Sequence, residues 1–315
     1  MSRNILVTGG CGYIGTILVK KLLKKNFNVL VVDCMWFGNH LSGHKNLKII
    51  KDDIRNIDKY DLKDYDSLIH LANIANDPSV ELNPELSWDI NVLAVHEIME
   101  KIVRTTSIKH VVYASSGSVY GVKSEIQVTE DLKLVPISTY NKTKMIAEKV
   151  LLNYANKIKI HCIRPATVCG YSPRMRLDVT VNMLTYQALK KKIMTIHGGD
   201  QVRPNIHIQD LTDVFIHFLK KNDLKSGVYN AGFENLSIMK IAEKIKKKVT
   251  SEISILPIND IRSYRLDSTK LLSTGFKNKY NVENAIDEII NKFKSGKLLD
   301  DESCYTVKWM KHLKL

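Results

Sequence analysis

The sequence predicts an α/β protein built on a doubly wound parallel sheet, and three observations carry that prediction. Short apolar runs alternate with helical patterns through the first half, a glycine-rich turn joins the first run to the first helix, and an aspartate ends the second run. Runs at 4–8 (NILVT), 28–33 (NVLVVD), 47–51 (LKIIK), 67–71 (SLIHL), 110–114 (HVVYA) and 159–164 (KIHCIR) read as buried strands, covered by helices on both faces. Helical patterns fill the gaps at 13–25, 86–106 and 138–155. Strand and helix in turn, with right-handed crossovers, give the doubly wound architecture. From about residue 167 the pattern loosens into a helix near 180–191, a strand at 205–208, helices near 211–220 and 237–249, and helical stretches near 282–294 and 303–313. A first domain over 1–166 is expected, with a strand near 205–209 returning to it, followed by a smaller α/β domain over 167–315.

With 315 residues the chain has room for about two domains, and 44% hydrophobic with 25% charged residues is the composition of a soluble globular protein. Disordered, collagen-like and disulfide-scaffold classes are excluded. Five scattered cysteines without a CxxC pair argue against a zinc site or a disulfide framework. The N-terminus runs directly into a strand pattern and no apolar stretch of about 18 residues occurs, so the reading is a cytoplasmic protein with no membrane partner. Lys and Arg number 47 against 33 Asp and Glu, a formal net charge of +14. That excess invites a nucleic-acid partner, but the lysine clusters sit on helical patterns without interleaved aromatic residues, and solvated helix faces account for them. Arginine is distributed differently: six of nine (Arg164, Arg174, Arg176, Arg203, Arg262 and Arg265) lie between 164 and 265. In a lysine-rich chain, a local choice of the planar two-pronged guanidinium points to phosphate.

The turn after the first run reads TGGCGYIG, with Gly9, Gly12 and Gly15 at three-residue spacing around a helix start at Tyr13 and Ile14. Such glycines allow a tight turn and let a pyrophosphate approach the helix N-terminus, where unpaired N–H groups and the dipole favour an anion. Asp33, about 20 residues on, completes the fingerprint of a Rossmann-type dinucleotide site. Its carboxylate accepts hydrogen bonds from both adenosine ribose hydroxyls and repels a 2′-phosphate, while Cys34 and Met35 supply no cation. The cofactor predicted is NAD rather than NADP.

Tyr140 and Lys144, in YNKTK, share one helix face at i, i+4 spacing. A phenol ordinarily titrates near pH 10, too high for a base at neutral pH, and a neighbouring ammonium favours its ionised form. Ser116, in the YASSGSVYG stretch closing the fifth run, lies at the sheet edge where ligands bind and offers a hydroxyl to a substrate oxygen. Tyr and Lys four apart on a helix are commonly surface residues; the glycine loop upstream gives this pair its meaning.

The ordered set TGGCGYIG, DDIRN (52–56), HLAN (70–73), SSGSVYG (115–121), Tyr140 with Lys144 and RPNIHIQD (203–210) resembles the extended short-chain dehydrogenase/reductase family, in its nucleotide-sugar epimerase/dehydratase branch. The likeness runs over essentially the whole chain. It implies that Asp53 and Ile54 hold the adenine, and that Leu71, Ala72 and Asn73 line the phosphate and ribose side of NAD with Asn91 nearby. Ser116, Tyr140 and Lys144 are implied as the catalytic triad, the last two also touching the cofactor. The second domain is implied to bind a nucleotide-diphosphate sugar. In it Asn182 precedes backbone contacts to the diphosphate, and Arg203 and Arg262 clamp the phosphates. Thr167 stands where many members have Asn. Arg174 and Arg176, in YSPRMRLD (171–178), are candidates to face the sugar or phosphates, the alternative being a solvated loop. A homodimer through the helices at 86–106 and 138–155 is implied as well.

Departures from the family pattern narrow the activity. Where 4,6-dehydratases place Asp-Glu directly after the catalytic Ser/Thr, this chain has Gly117 and Ser118, so dehydration is disfavoured. The expected reaction is NAD-dependent oxidation at C4 of a nucleotide-activated hexose or heptose, finishing as a 4-epimerase or a net 4-dehydrogenase. The YSPRMRLD segment is similar to those of enzymes acting on bacterial surface-polysaccharide precursors. The alternatives are reduction of a 4-keto sugar and a catalytically idle NAD-binding member, the latter opposed by the intact triad.

Overall fold

A computed structural model describes residues 3–221, 223–257 and 263–315. Its strands are β1 (Asn4–Thr8), β2 (Asn28–Asp33), β3 (Leu47–Lys51), β4 (Ser67–His70), β5 (His110–Ala114), β6 (Lys159–Pro165), β7 (Thr167–Cys169), β8 (Ile193–His197), β9 (Val202–His207), β10 (Gly227–Ala231), β11 (Glu234–Ser237) and β12 (Glu252–Leu256). Strands β1 to β6 and β10 form one seven-stranded sheet in the order β10-β6-β5-β4-β1-β2-β3, with every neighbouring pair parallel. All six expected runs become strands of this Rossmann-type sheet.

Alternation explains why those runs are apolar throughout. Ile5, Val7, Val29, Val31 and Ile69 face one helical layer, while Leu6, Leu30, Val32 and Leu68 face the other. The first layer holds the helices Tyr13–Lys24 and Ile208–Lys220; the second holds Ala94–Thr105 and Thr139–Leu152. Burying one leucine fully, as at Leu18 or Leu22, contributes about 2 kcal/mol. The chain winds outward from β1 to β3, then restarts at β4 and winds outward the other way to β10. That reversal opens a crevice between β1 and β4 at the C-terminal strand ends, where open α/β sheets take their ligands.

In the second half, β7, β9 and β11 make a three-stranded sheet and β8 with β12 a two-stranded one. Helices Thr180–Lys191, Ile238–Lys246 and Val282–Lys294 pack with them around a third core that includes Leu184, Ile241 and Ile286. The strand expected near 205–209 differs from expectation. Val202–His207 pairs with β7 and β11, and the strand that completes the main sheet is Gly227–Ala231. Its GVYNA run is short and half polar, which hides it from a search for apolar runs. The helix expected over 86–106 is also interrupted: a π-helical turn at Asp89–Leu93 joins Pro84–Trp88 to Ala94–Thr105, with Asn91 in it fully buried. All five cysteines are unpaired, and among the described residues no helix is long and apolar enough to cross a membrane.

Candidate active site

Strand β1 ends at Thr8 and Gly9 turns the chain with φ +72°. A Cβ on Gly9 would stand 2.5 Å from the Ala72 nitrogen, and one on Gly15 would stand 2.4 Å from the Gly9 carbonyl oxygen. Only glycine lets the loop, the β4 end and the following helix close to that distance. Gly12 is the N-cap of the Tyr13–Lys24 helix, which has no side-chain cap and no acid in its first turn. Its leading N–H groups are left for a ligand anion. Asp33 closes β2, and its two oxygens accept the N–H groups of Cys11 (2.9 Å) and Met35 (2.7 Å). Burial pushes its carboxyl up, and those two N–H groups pull it back.

An open cleft of about 1120 Å³ runs along these strand ends. Gly9, Gly12, Tyr13, Ile14 and Gly15 line it from β1, and Leu71, Ala72 and Asn73 line it from β4. Asp33, Asp53 and Ile54 close its far side after β2 and β3. Asp53 caps the next turn and holds Arg55 with contacts of 3.1 and 2.8 Å. Asn91 does not line this cleft. It accepts the Ile74 N–H (2.9 Å), donates to the Ile74 carbonyl (3.0 Å) and reaches Thr143 (3.2 Å), bracing the β4 loop against the Tyr140 helix.

That helix, Thr139–Leu152, starts on Ser138, whose oxygen accepts the Asn141 N–H. Lys144 is 3% exposed and donates to the Ala114 carbonyl at the end of β5 (2.6 Å). Ser116, two residues further, lies close enough to the Tyr140 phenol for its hydroxyl to favour the ionised form. Strand end and helix thus bring Ser116, Tyr140 and Lys144 together. The Lys144 Nζ lies 5.9 Å from the Tyr140 ring centre and 4.8 Å from that of Tyr113. Desolvation pushes the Tyr140 phenol up to about 12 against the Ser116 hydroxyl, and it pulls the Lys144 ammonium down to about 7 against the nearby Glu148 carboxylate.

Two supporting groups escaped the sequence reading. Ser118 bonds Ser116 (2.7 Å) and accepts from Asn141 (2.9 Å), while Asp77 accepts from Ser138. Nothing in the sequence pairs position 77 with position 138. Behind Lys144, buried Glu148 holds Arg164 through two contacts of 2.9 and 2.7 Å, and Arg164 also donates to Tyr120 (2.7 Å). Glu148 was visible as the third member of the row Tyr140, Lys144, Glu148 at four-residue steps.

Asn182 is fully buried, accepting the Gly170 N–H (3.0 Å) and donating to the Tyr13 hydroxyl (3.0 Å) and the Arg176 carbonyl (2.9 Å). Thr167 opens β7 half-buried. Arg176 pairs with Asp178 (2.9 Å), and Arg174 lies against Phe37; both line the same cleft as Asp33, so neither belongs to a solvated loop. Arg203 sits half-buried on β9 and does not line this cleft. Arg262 lies outside the described residues.

The residues fit an NAD molecule: a glycine cradle that a Cβ would fill, uncapped helix N–H groups, Asp33 at the second strand, and a buried Asn73 amide nitrogen at the cleft wall with no partner among the described residues. A family model described as the NAD dependent epimerase/dehydratase family matches residues 5–232. A UDP-glucose 4-epimerase of Lactobacillus helveticus is 30% identical over 272 residues, covering 77% of this chain and 81% of the relative. MoeE5, solved in complex with UDP-glucuronic acid and NAD, matches with a TM-score of 0.81 at 27% identity, covering 93% of this chain and 99% of that one. The UDP-glucose 4-epimerase of Thermotoga maritima, solved with UDP-glucose, shares the fold with a TM-score of 0.84 at 24% identity over 93% of this chain and 99% of that one.

Proposed function

Because the chain belongs to the NAD-dependent epimerase/dehydratase family, we propose that it is a 4-epimerase of a UDP-activated hexose. NAD held in the glycine-loop cleft would supply a reversible hydride acceptor for C4 of the sugar. Tyr140 receives the proton of the C4 hydroxyl and returns it after the sugar has turned. Ser116 holds the same oxygen, and the Lys144 ammonium, fixed by the Ala114 carbonyl, stabilises the phenolate. The glycine-loop N–H groups hold the cofactor's pyrophosphate and Asp33 its adenosine ribose. The second half takes the substrate, with Arg203 and Arg262 on its diphosphate.

One observation carries the reading. Ser116, Tyr140 and Lys144 meet at the β5 end beside the glycine-loop cleft, while Ser118, where a dehydratase carries an acid, bonds Ser116 and Asn141 and brings no carboxylate. Supply of bacterial surface-polysaccharide precursors in the cytoplasm belongs to the same proposal, as does a homodimer through the Ala94–Thr105 and Thr139–Leu152 helices. Sedimentation at twice the 35.9 kDa chain mass checks the dimer.

The test of the activity is incubation with UDP-glucose deuterated at C4, followed by proton NMR. UDP-galactose that keeps its deuterium at C4 is expected. A 4-keto sugar accumulating with an equal amount of reduced cofactor assigns a net 4-dehydrogenase instead, and inert UDP-hexoses overturn the proposal.

A further inference from the structure

Arg174 is a cation that the mechanism above does not use. It is 4% exposed, with its guanidinium carbon 3.9 Å from the centre of the Phe37 ring. Its terminal nitrogens donate to the Met175 carbonyl (3.2 Å) and the Thr306 hydroxyl (3.3 Å), while its Nε is buried without a partner among the described residues. Asp178, the acid whose field reaches it, is bonded to Arg176 and to the Thr306 N–H (3.0 Å), and no carboxylate of a described residue forms an ion pair with Arg174. A guanidinium withdrawn from water without an acid partner is costly, and a ligand anion offsets that cost.

The location says which anion. Phe37 follows Asp33 by four residues, both line the cleft with Arg174, and the positive field of Arg174 reaches the Asp33 carboxylate. That is the adenosine end of the dinucleotide site. The C-terminal segment secures the arrangement: Thr306 and Met310 line the same cleft, the Trp309 indole N–H donates to the Trp36 carbonyl, and Met310 is buried in the core that holds Ile54 and Ile90. We propose that Arg174 grips the diphosphate of NAD together with the glycine-loop N–H groups, and that the Thr306–His312 helix is a strap holding Arg174 in that position. The inference rests on NAD dependence and not on the identity of the sugar.

The sugar nucleotide also carries a diphosphate, so the experiment separates the two ligands. Arg174→Met keeps the stack on Phe37 and removes the charge. With full-length protein stripped of nucleotide, calorimetric titration with ADP-ribose is expected to show binding about 10- to 100-fold weaker, with adenosine and UDP-glucose unchanged. Wild-type affinity for ADP-ribose overturns the proposal. Loss confined to UDP-glucose overturns it by moving Arg174 to the substrate, and equal loss of adenosine overturns it by reducing the effect to packing. Arg174→Gln, uncharged but polar, makes the same comparison if the Met protein fails to fold. Thr306→Val is expected to weaken ADP-ribose by about 3- to 10-fold, and no change removes the strap from the proposal.

Discussion

Replacing Lys144 by Met tests the electrostatic coupling at the centre of the site, because the stem stays and only the charge goes. At 5.9 Å from the phenol ring and an effective dielectric constant of about 20, a unit charge interacts by about 3 kcal/mol, or about 2 pKa units on Tyr140. The pH profile is the sharper readout. With Lys144 at about 7 and Tyr140 at about 12, the ammonium loses its proton first as pH rises. Below pH 7 both groups are protonated, and the share of molecules with ionised Tyr140 beside charged Lys144 rises about tenfold per pH unit. Above pH 7 the pair holds one proton, the active arrangement is a constant small share of that population, and the rate levels off. Without Lys144 the phenol titrates alone and the rate keeps climbing. Single-turnover reduction of the bound cofactor by UDP-glucose, followed by absorbance, is therefore expected to show a deficit of about 100-fold at neutral pH that closes near pH 9. A deficit that is the same at every pH, or a wild-type profile without the knee, refutes the coupling.

Four further outcomes are expected. Gly15→Ala puts a Cβ 2.4 Å from the Gly9 carbonyl oxygen, so the purified protein should carry little NAD and melt several degrees lower, read by nucleotide release and calorimetry. Asp33→Ser removes the charge that repels a 2′-phosphate, and titration with both dinucleotides should show the NADP-to-NAD ratio rising on the order of 10- to 100-fold. Arg164→Met strands the buried Glu148 carboxylate at a cost of about 3–5 kcal/mol by denaturant unfolding, and adding Glu148→Gln should recover much of it. Arg203→Ala should raise the KM for UDP-glucose about tenfold with NAD affinity intact; an unchanged KM removes Arg203 from the substrate diphosphate.

The parts of the molecule that were legible in the sequence are those whose signal is local. Strands β1 to β6 announce themselves because both faces are covered, and the glycine loop because sterics leave no other residue at Gly9 and Gly15. Strand β10 stayed hidden because a sheet edge tolerates GVYNA. Arginine clustering points to phosphate, but a bidentate fork suits a carboxylate equally, and Arg164 is taken by Glu148. The contacts of Arg174 with Phe37 and Thr306 join positions more than 100 residues apart, and no periodicity encodes such a meeting.

The hydrogen bonds around Tyr13 have a consequence for motion. Asn182 and Gly170 hold its hydroxyl and Ser172 its carbonyl, all of them buried. Opening the two halves like a clamshell would exchange each of these bonds for water, at a net cost of about 0.5–1.5 kcal/mol apiece. Such an open state is disfavoured, and the amides of the glycine loop and of β7 should exchange with solvent among the slowest in the chain. In the proposed reaction the cleft walls would then keep their place, and turning the sugar to present its second face would fall to the sugar and its diphosphate linkage.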